Sequence, residues 1–463
     1  MNNSMKTAIF FIQFILPLIS FSQITGNDAD HPCLTPLQYE MIDKRVADNI
    51  KLLKLADNKS KEPLTTLLSW PLRPMAGFTD CSYYIVTAYV DENTAAGAIG
   101  DFNCGTNTYD THKGTDICTW PFPFYKLDHS QVEVIAAAAG TIIDKADGNF
   151  DRNCSSNSMT ANYVIVQHDD GSYALYWHMK SGSITTKAIG QTVLTGEYLG
   201  VVGSSGSSSG PHLHFEVWTG STSATYKDPF SGTCNTLNAN SWWQTQKPYT
   251  EPAVIKASVH TTDAIIPACD TTETPNESTT YQLPFQGQGL PAGMAKFYIF
   301  LRDAVAGTVV NLSILNPGGT TFNSWTFNCN NNYNGSYWTW TKALPSLAGT
   351  YTFQATYNGI SCSQNFNVLA PTSTNDLTNS AKLQVYPNPS NGIMHIACDD
   401  LLNGNYTLSI KNTLGQTLFQ ENTVISNNNI QKDIPIATLP AGIYILSLEA
   451  NGNTYITKIN KQN

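Results

Sequence analysis

Five side chains stand where metal binding and proton transfer could meet. His112 and Asp116 are separated by Lys113-Gly114-Thr115, and His212 and His214 flank Leu213 ahead of Phe215-Glu216. Imidazole nitrogen and carboxylate oxygen are ordinary zinc ligands, at about 2.0–2.2 Å. Alternate residues on a strand share a face. His212, His214 and Glu216 therefore point one way and Leu213, Phe215 and Val217 the other. Two imidazoles then stand side by side, backed by an apolar row, so that one can bind an ion while its neighbour stands over the reacting atoms. His112 and Asp116 need a bend, because residues four apart on a straight strand lie about 13 Å apart. Gly114 sits midway and is expected to let the chain curl. Three protein ligands leave a fourth position open, which marks a catalytic rather than a structural ion. Attack on a carbonyl also needs a proton carrier and stabilised charge. His212 is one candidate, and His178, ending the run Ala174-Leu175-Tyr176-Trp177, is another.

The elements that must position these residues are strands. Segments 132–138, 140–143, 163–168, 174–178, 198–202 and 212–218 are short, β-branched or aromatic, and separated by Gly, Asp and Ser. They predict an all-β domain over 70–250. Before it, residues 33–57 read as helix. Thr35 is an N-cap with Pro36 next and Gln38 completing a capping box, and Leu37, Met41, Ile42, Val46, Ile50, Leu53 and Leu55 recur at helical spacing. Segment 23–69 is thus an N-terminal helical segment or pro-segment, with packing its expected role. Residues 251–275, rich in Thr, Pro and Glu, read as a linker. Residues 276–370 form a second β unit, with a hairpin turn at Asn358-Gly359. A second linker, 371–381, leads to a third β unit at 382–463. The fold class is all-β and multidomain: a larger antiparallel β domain with an N-terminal helix, then two small β-sandwiches.

The chain has 463 residues, of which 13% are charged, and a formal net charge of −10. With no basic run, it is a poor binder of nucleic acid or of an anionic membrane. Lys6 precedes an apolar run ending in Ser20-Phe21-Ser22, which reads as a signal peptide over 1–22. No later stretch is long and apolar enough to span a bilayer, so the mature chain is expected to lack a transmembrane segment. Export makes disulfides plausible among the ten cysteines, and no C-x-x-C pair suggests a metal site instead. Cys329 and Cys362 are expected to pair locally, and several of Cys81, Cys104, Cys118 and Cys154 to staple long loops. Other residues take ordinary readings. Glu216 is a supporting partner, and Tyr109, close before His112, could donate to an oxyanion but reads first as a loop tyrosine. The aromatics from Trp120 to Tyr125 are loop packing or groove lining. His31, His129, His168, His260 and His395 are surface or satisfied residues.

The pattern His112-Lys113-Gly114-Thr115-Asp116, then Tyr176-Trp177-His178-Met179, then Gly210-Pro211-His212-Leu213-His214-Phe215-Glu216 resembles the lysostaphin-type (LytM-like) zinc endopeptidases. The resemblance covers about 110–230 closely. It implies one Zn2+ per chain held by His112, Asp116 and His214, with His178 and His212 handling the water proton and the developing oxyanion. It implies an endopeptidase acting on peptidoglycan cross-links or stem peptides. The rival expectations are a secreted protease on Gly-rich proteins such as elastin and a catalytically silent surface binding or scaffold protein. Residues 34–57 are the candidate occluding segment. Val385-Tyr386-Pro387-Asn388-Pro389, Asn412-Thr413-Leu414-Gly415-Gln416 and Leu439-Pro440-Ala441-Gly442-Ile443-Tyr444 resemble the C-terminal sorting domain of the type IX secretion system. That implies handling of 382–463 by the secretion machinery and a secreted or cell-surface protein.

Overall fold

The computed structural model describes residues 23–24, 33–55, 66–264, 275–371, 383–450 and 453–463. The expected signal peptide at 1–22, and residues 265–274 and 372–381 of the expected linkers, lie outside the described residues. Strands take 45% of the chain and helices 7%, which makes the fold all-β. The chain forms two compact units, one ending at Ala370 and one starting at Pro371. Among the described residues, no helix is long and apolar enough to cross a membrane.

An antiparallel sheet carries the motif residues. Its strands run Tyr84–Ala88, Thr115–Thr119, His212–Trp218, Tyr173–Trp177, Tyr163–Gln167, Gly140–Ala146 and Thr192–Val193, and Tyr226–Lys227 also pairs with His212–Trp218. Alternation divides the side chains between two buried faces. Ile142, Val164, Val166, Tyr176, Leu213, Phe215 and Val217 pack against Val132, Val134 and Leu199 of a second, three-stranded sheet. On the other face, Ile143, Tyr163, Ile165, Leu175, Trp177 and Trp218 pack against a helix, Pro36–Leu52.

The helix begins as its sequence predicts. Thr35 Oγ1 accepts from Gln38 N, Gln38 Oε1 accepts from Thr35 N, and Pro36 opens the first turn. Its buried stripe is Ile42, Val46 and Ile50, each worth about 1.5–3 kcal/mol when fully buried. Leu37 and Met41, expected to share that stripe, are 65% and 56% exposed. The i, i+4, i+8 row sets the contact line, and those two residues sit beside it.

The middle unit is a two-sheet sandwich with Phe297, Ile299 and Leu301 of one sheet against Val310, Phe353 and Phe366 of the other. Asn358 and Gly359 make the expected hairpin, at φ of 49° and 75°. The expected linker 251–275 is corrected in part: Ala253–His260 is a strand paired with Met294–Ala304. Its apolar Val254, Ile255, Ala257 and Val259 are buried, which outweighs the Thr and Pro around them. The sheet's opposite edge receives Gln23–Ile24, paired with Tyr333–Ala343. Cys362 bonds Cys81 rather than Cys329, and Cys104 bonds Cys234. Cys329 keeps a reduced thiol, and that of Cys118 lies 3.2 Å from Thr87 Oγ1. Sequence proximity was the wrong guide, because Cys329 and Cys362 belong to different segments of the sandwich.

The C-terminal unit has sheets of three and four strands. Met394, Ile396, Leu408, Ile410, Leu446 and Leu448 fill its core. Asn412 Oδ1 accepts from Leu414 N and Gln416 N, closing the turn that its sequence signals.

Candidate metal centre

Register brings the two motifs together. His214 pairs directly with Asp116 across neighbouring strands, so both side chains leave the same face. His112 lies in the loop just before Thr115–Thr119 and reaches the same point. His112 Nε2 is 3.2 Å from His214 Nδ1 and 3.3 Å from Asp116 Oδ1, and His214 Nδ1 is 2.8 Å from Asp116 Oδ1. Ligands bound tetrahedrally to one zinc ion stand ~3.4 Å apart. The three atoms are close enough to share one metal ion.

Each imidazole is held in a definite tautomer. His112 Nδ1 donates to Tyr89 O at 2.6 Å, and His214 Nε2 donates to Glu216 Oε1 at 2.7 Å. In the neutral form of each ring, donation at one nitrogen leaves a lone pair on the other, and both of those nitrogens face the common point. Glu216 is itself fixed, accepting from Trp218 Nε1 at 2.7 Å and from Tyr39 Oη at 2.6 Å. His178 Nδ1 donates to Ser205 O at 2.6 Å and His212 Nδ1 to Gly210 O at 2.8 Å. Among the described residues, His178 Nε2 is buried without a hydrogen-bond partner. A buried, unpaired ring nitrogen beside this donor set fits a site built for a further group.

Two backbone features place these rings. Regular pairing would set His178 opposite Leu213, on the core face. A φ of 63° at His178 breaks the alternation and leaves its ring 4.5 Å from that of His212. Such a left-handed backbone costs of order 1–3 kcal/mol and is found at functional positions. Thr111, just before His112, is left-handed with φ of 66°, and Gly114, expected to let the chain curl, is not left-handed. Gly114 serves close approach instead, since a Cβ there would lie 2.7 Å from His214 Cε1.

Two further residues stand in the centre: Tyr109, which the sequence placed close before His112, and Cys33, which it did not single out. Tyr109 stacks on His112 at 4.1 Å, and its hydroxyl is 3.3 Å from Asp116 Oδ2. Cys33, just before the helix, puts its sulfur 2.9 Å from Tyr109 Oη, 3.7 Å from His212 Nε2 and 3.8 Å from Asp116 Oδ2. One donor atom each from Cys33, His112, Asp116 and His214 lies within 4.8 Å of the others, so these four could hold a metal ion. Contacts between segments 76 to 179 residues apart leave no local trace, and an even cysteine count marks none as unpaired.

Charge shapes the site. Burial pushes the Asp116 carboxyl up, but His112 and His212 outweigh it and hold it well below the usual carboxylate range. Burial lowers His212, and Asp116 with Cys33 overcomes that, pushing it up to about 9. At His178 burial comes first and the charge on His212 adds to it, so this imidazole is held down and stays neutral. Burial and Asp116 push the Cys33 thiol up, and the surrounding imidazoles, His214 first, bring it well below its ordinary value.

Residues 111–228 match the model of Peptidase family M23, and residues 384–462 match that of the Secretion system C-terminal sorting domain. The peptidoglycan DD-endopeptidase ShyC of Vibrio cholerae is 30% identical over 88 residues, 19% of this chain and 19% of that protein. The cell division protein DipM of Caulobacter vibrioides is 36% identical over 84 residues, 18% of this chain and 13% of that protein. The chain spans under a quarter of the length of these curated relatives. The catalytic domain of lysostaphin from Staphylococcus simulans is 24% identical, covering 31% of this chain and 85% of that one, with a TM-score of 0.21.

Proposed function

We propose, from the presence of a peptidase family M23 domain ahead of a type IX secretion sorting domain, that this protein is an exported zinc endopeptidase that cuts peptidoglycan peptides. The observation that carries the reading is the set of donor atoms on His112, Asp116 and His214, 2.8–3.3 Å apart within the matched residues. The likeness to a peptidoglycan endopeptidase supports the substrate class.

A zinc ion held by these three residues supplies Lewis acidity, polarising a carbonyl and lowering the pKa of water. The chain's own groups do the rest. Glu216 fixes the His214 ring through Nε2, and the Tyr89 carbonyl fixes that of His112. His178 is neutral with a free Nε2 lone pair, suited to take a proton from the attacking water. His212, tied at Nδ1 to Gly210 O, is placed to donate from Nε2, when protonated, to the oxygen that gains charge.

The test is zinc content measured together with hydrolysis of oligoglycine, purified sacculi and elastin, for wild type and His214→Ala. Near-stoichiometric zinc and cleavage of sacculi, both lost in the variant, are expected. Cleavage of elastin alone would sink the cell-wall substrate. Zinc without hydrolysis of any peptide would point to a scaffold or a closed enzyme.

A further inference from the structure

We propose that Cys33 is a fourth ligand of the ion, and that residues 33–55 form a strap that holds the enzyme closed. The inference rests on the metal-site reading above. His112, Asp116 and His214 reach the centre from the peptidase sheet and the loop leading into it, and Cys33 reaches it from a separate segment. Its sulfur is 3.8 and 4.0 Å from the Asp116 oxygens and shares one cluster with the donor atoms of His112 and His214. A zinc–sulfur bond of about 2.3 Å in a tetrahedral set puts sulfur ~3.5 Å from a neighbouring ligand oxygen, so the sulfur-to-oxygen distances stand within about half an ångström of coordination, with the imidazole donors inside the same 4.8 Å cluster.

The placement of this sulfur is built. Tyr39 donates to Glu216, the carboxylate that orients His214. Arg45 grips buried Asp144 through two hydrogen bonds at 2.7 and 2.9 Å. Asp43 accepts from Ser223 N and Oγ at 2.8 and 3.0 Å. Lys113, inside the first motif, sits 4.1 Å over the Tyr39 ring. These contacts join the strap to the supports of the centre as well as to the apolar face.

Four protein ligands make a closed zinc site, which leaves no position for water or substrate. On coordination the thiol proton leaves to solvent and a sulfur lone pair fills the fourth position. On release the sulfur takes a proton back and the position opens.

The test uses the full chain loaded with Co2+, whose thiolate complexes absorb in the near ultraviolet by sulfur-to-metal charge transfer. The band is expected in wild type and absent in Cys33→Ser, with equal cobalt content and an unchanged melting temperature. Alkylation of Cys33, followed by mass spectrometry, is expected to be slow in the loaded protein and fast after chelation. Tyr39→Phe, which keeps the sulfur and loosens the strap, is expected to speed it. A strap closed in nine molecules of ten predicts about tenfold faster peptide hydrolysis by Cys33→Ser. Bound cobalt without the band in wild type, or alkylation indifferent to metal, overturns the ligand and leaves the metal site standing. Loss of the band without faster hydrolysis overturns the closure. Failure to bind any metal overturns this inference and the metal-site reading together.

Discussion

At the scale of single residues, the centre depends on which ring nitrogen carries a hydrogen. Glu216 accepts from His214 Nε2 and so keeps the lone pair on Nδ1. Glu216→Gln replaces a charge-assisted bond with a neutral one in a wholly buried place. Zinc affinity is expected to fall about 10–100-fold, read by competition with a chelator, with the far-ultraviolet spectrum unchanged. His178 should behave in the opposite way. Its Nδ1 is tied to Ser205 and it is not among the three proposed ligands. His178→Ala is expected to keep full zinc while kcat drops about 10²–10⁴-fold, and loss of zinc in that variant would make His178 a ligand instead. Gly114→Ala tests close approach, because its Cβ would meet the His214 ring. The gathering of His112, Asp116 and His214 and the facing of His212, His214 and Glu216 were legible in the sequence, since strand alternation is a local rule. The reason for Gly114 was not, because it depends on a ring a hundred residues away. Cys33 was not legible for the same reason, whereas Tyr109, three residues before His112, was noted without its stacking on that ring.

At the scale of elements, the helix was legible to its cap, and what it covers was not. The capping box and the Ile42, Val46, Ile50 row are written in consecutive residues, whereas the Cys33 position follows from docking on a sheet formed much later in the chain. Thr35 couples the two, since it caps the helix two residues after Cys33. Thr35→Ala is expected to cost about 1 kcal/mol locally, read as faster hydrogen exchange at residues 38–42 with no change in the sheet. The strand Ala253–His260 escaped the reading of 251–275 because its neighbours carry the turn-forming residues. Its partner strand Met294–Ala304 contains Asp303, where burial pushes the carboxyl up to about 6 and the hydrogen bond from Glu251 N only partly offsets it. A carboxyl raised in the folded state favours the protonated form. Its contribution is full below about pH 4 and is lost as pH rises through about 6. Unfolding free energy is expected to fall by roughly 2–3 kcal/mol across that window, and Asp303→Asn should flatten it. A wild-type profile identical to that of the variant would refute the shift.

At the scale of the whole molecule, composition and turn signals separate a sandwich from the peptidase domain, yet the two are packed as one unit. Ile85, Trp120 and Phe122 of the peptidase region share a buried cluster with Ile255, Tyr298 and Phe300 of the sandwich. Beside it, Lys126 and Lys256 both pair with Asp80, and Lys256 also pairs with Glu277. The Cys81–Cys362 bond closes the junction across 281 residues, a loop length for which chain entropy predicts roughly 5 kcal/mol. The boundary at residue 250 that the sequence suggests is therefore expected to be a poor place to cut. A chain of residues 23–250 would bare Ile85, Trp120 and Phe122, which are at most 2% exposed in the whole protein. It would also leave Lys126 and Asp80 without Lys256. It is expected to aggregate or to melt well below a chain of residues 23–370. The longer chain ends where the first compact unit ends and should keep the melting temperature and zinc content of that unit in the full protein. Both chains can be compared by calorimetry under the same oxidising conditions. Equal melting temperatures would mean that the junction stabilises nothing, and that the sandwich is a passenger on the peptidase domain.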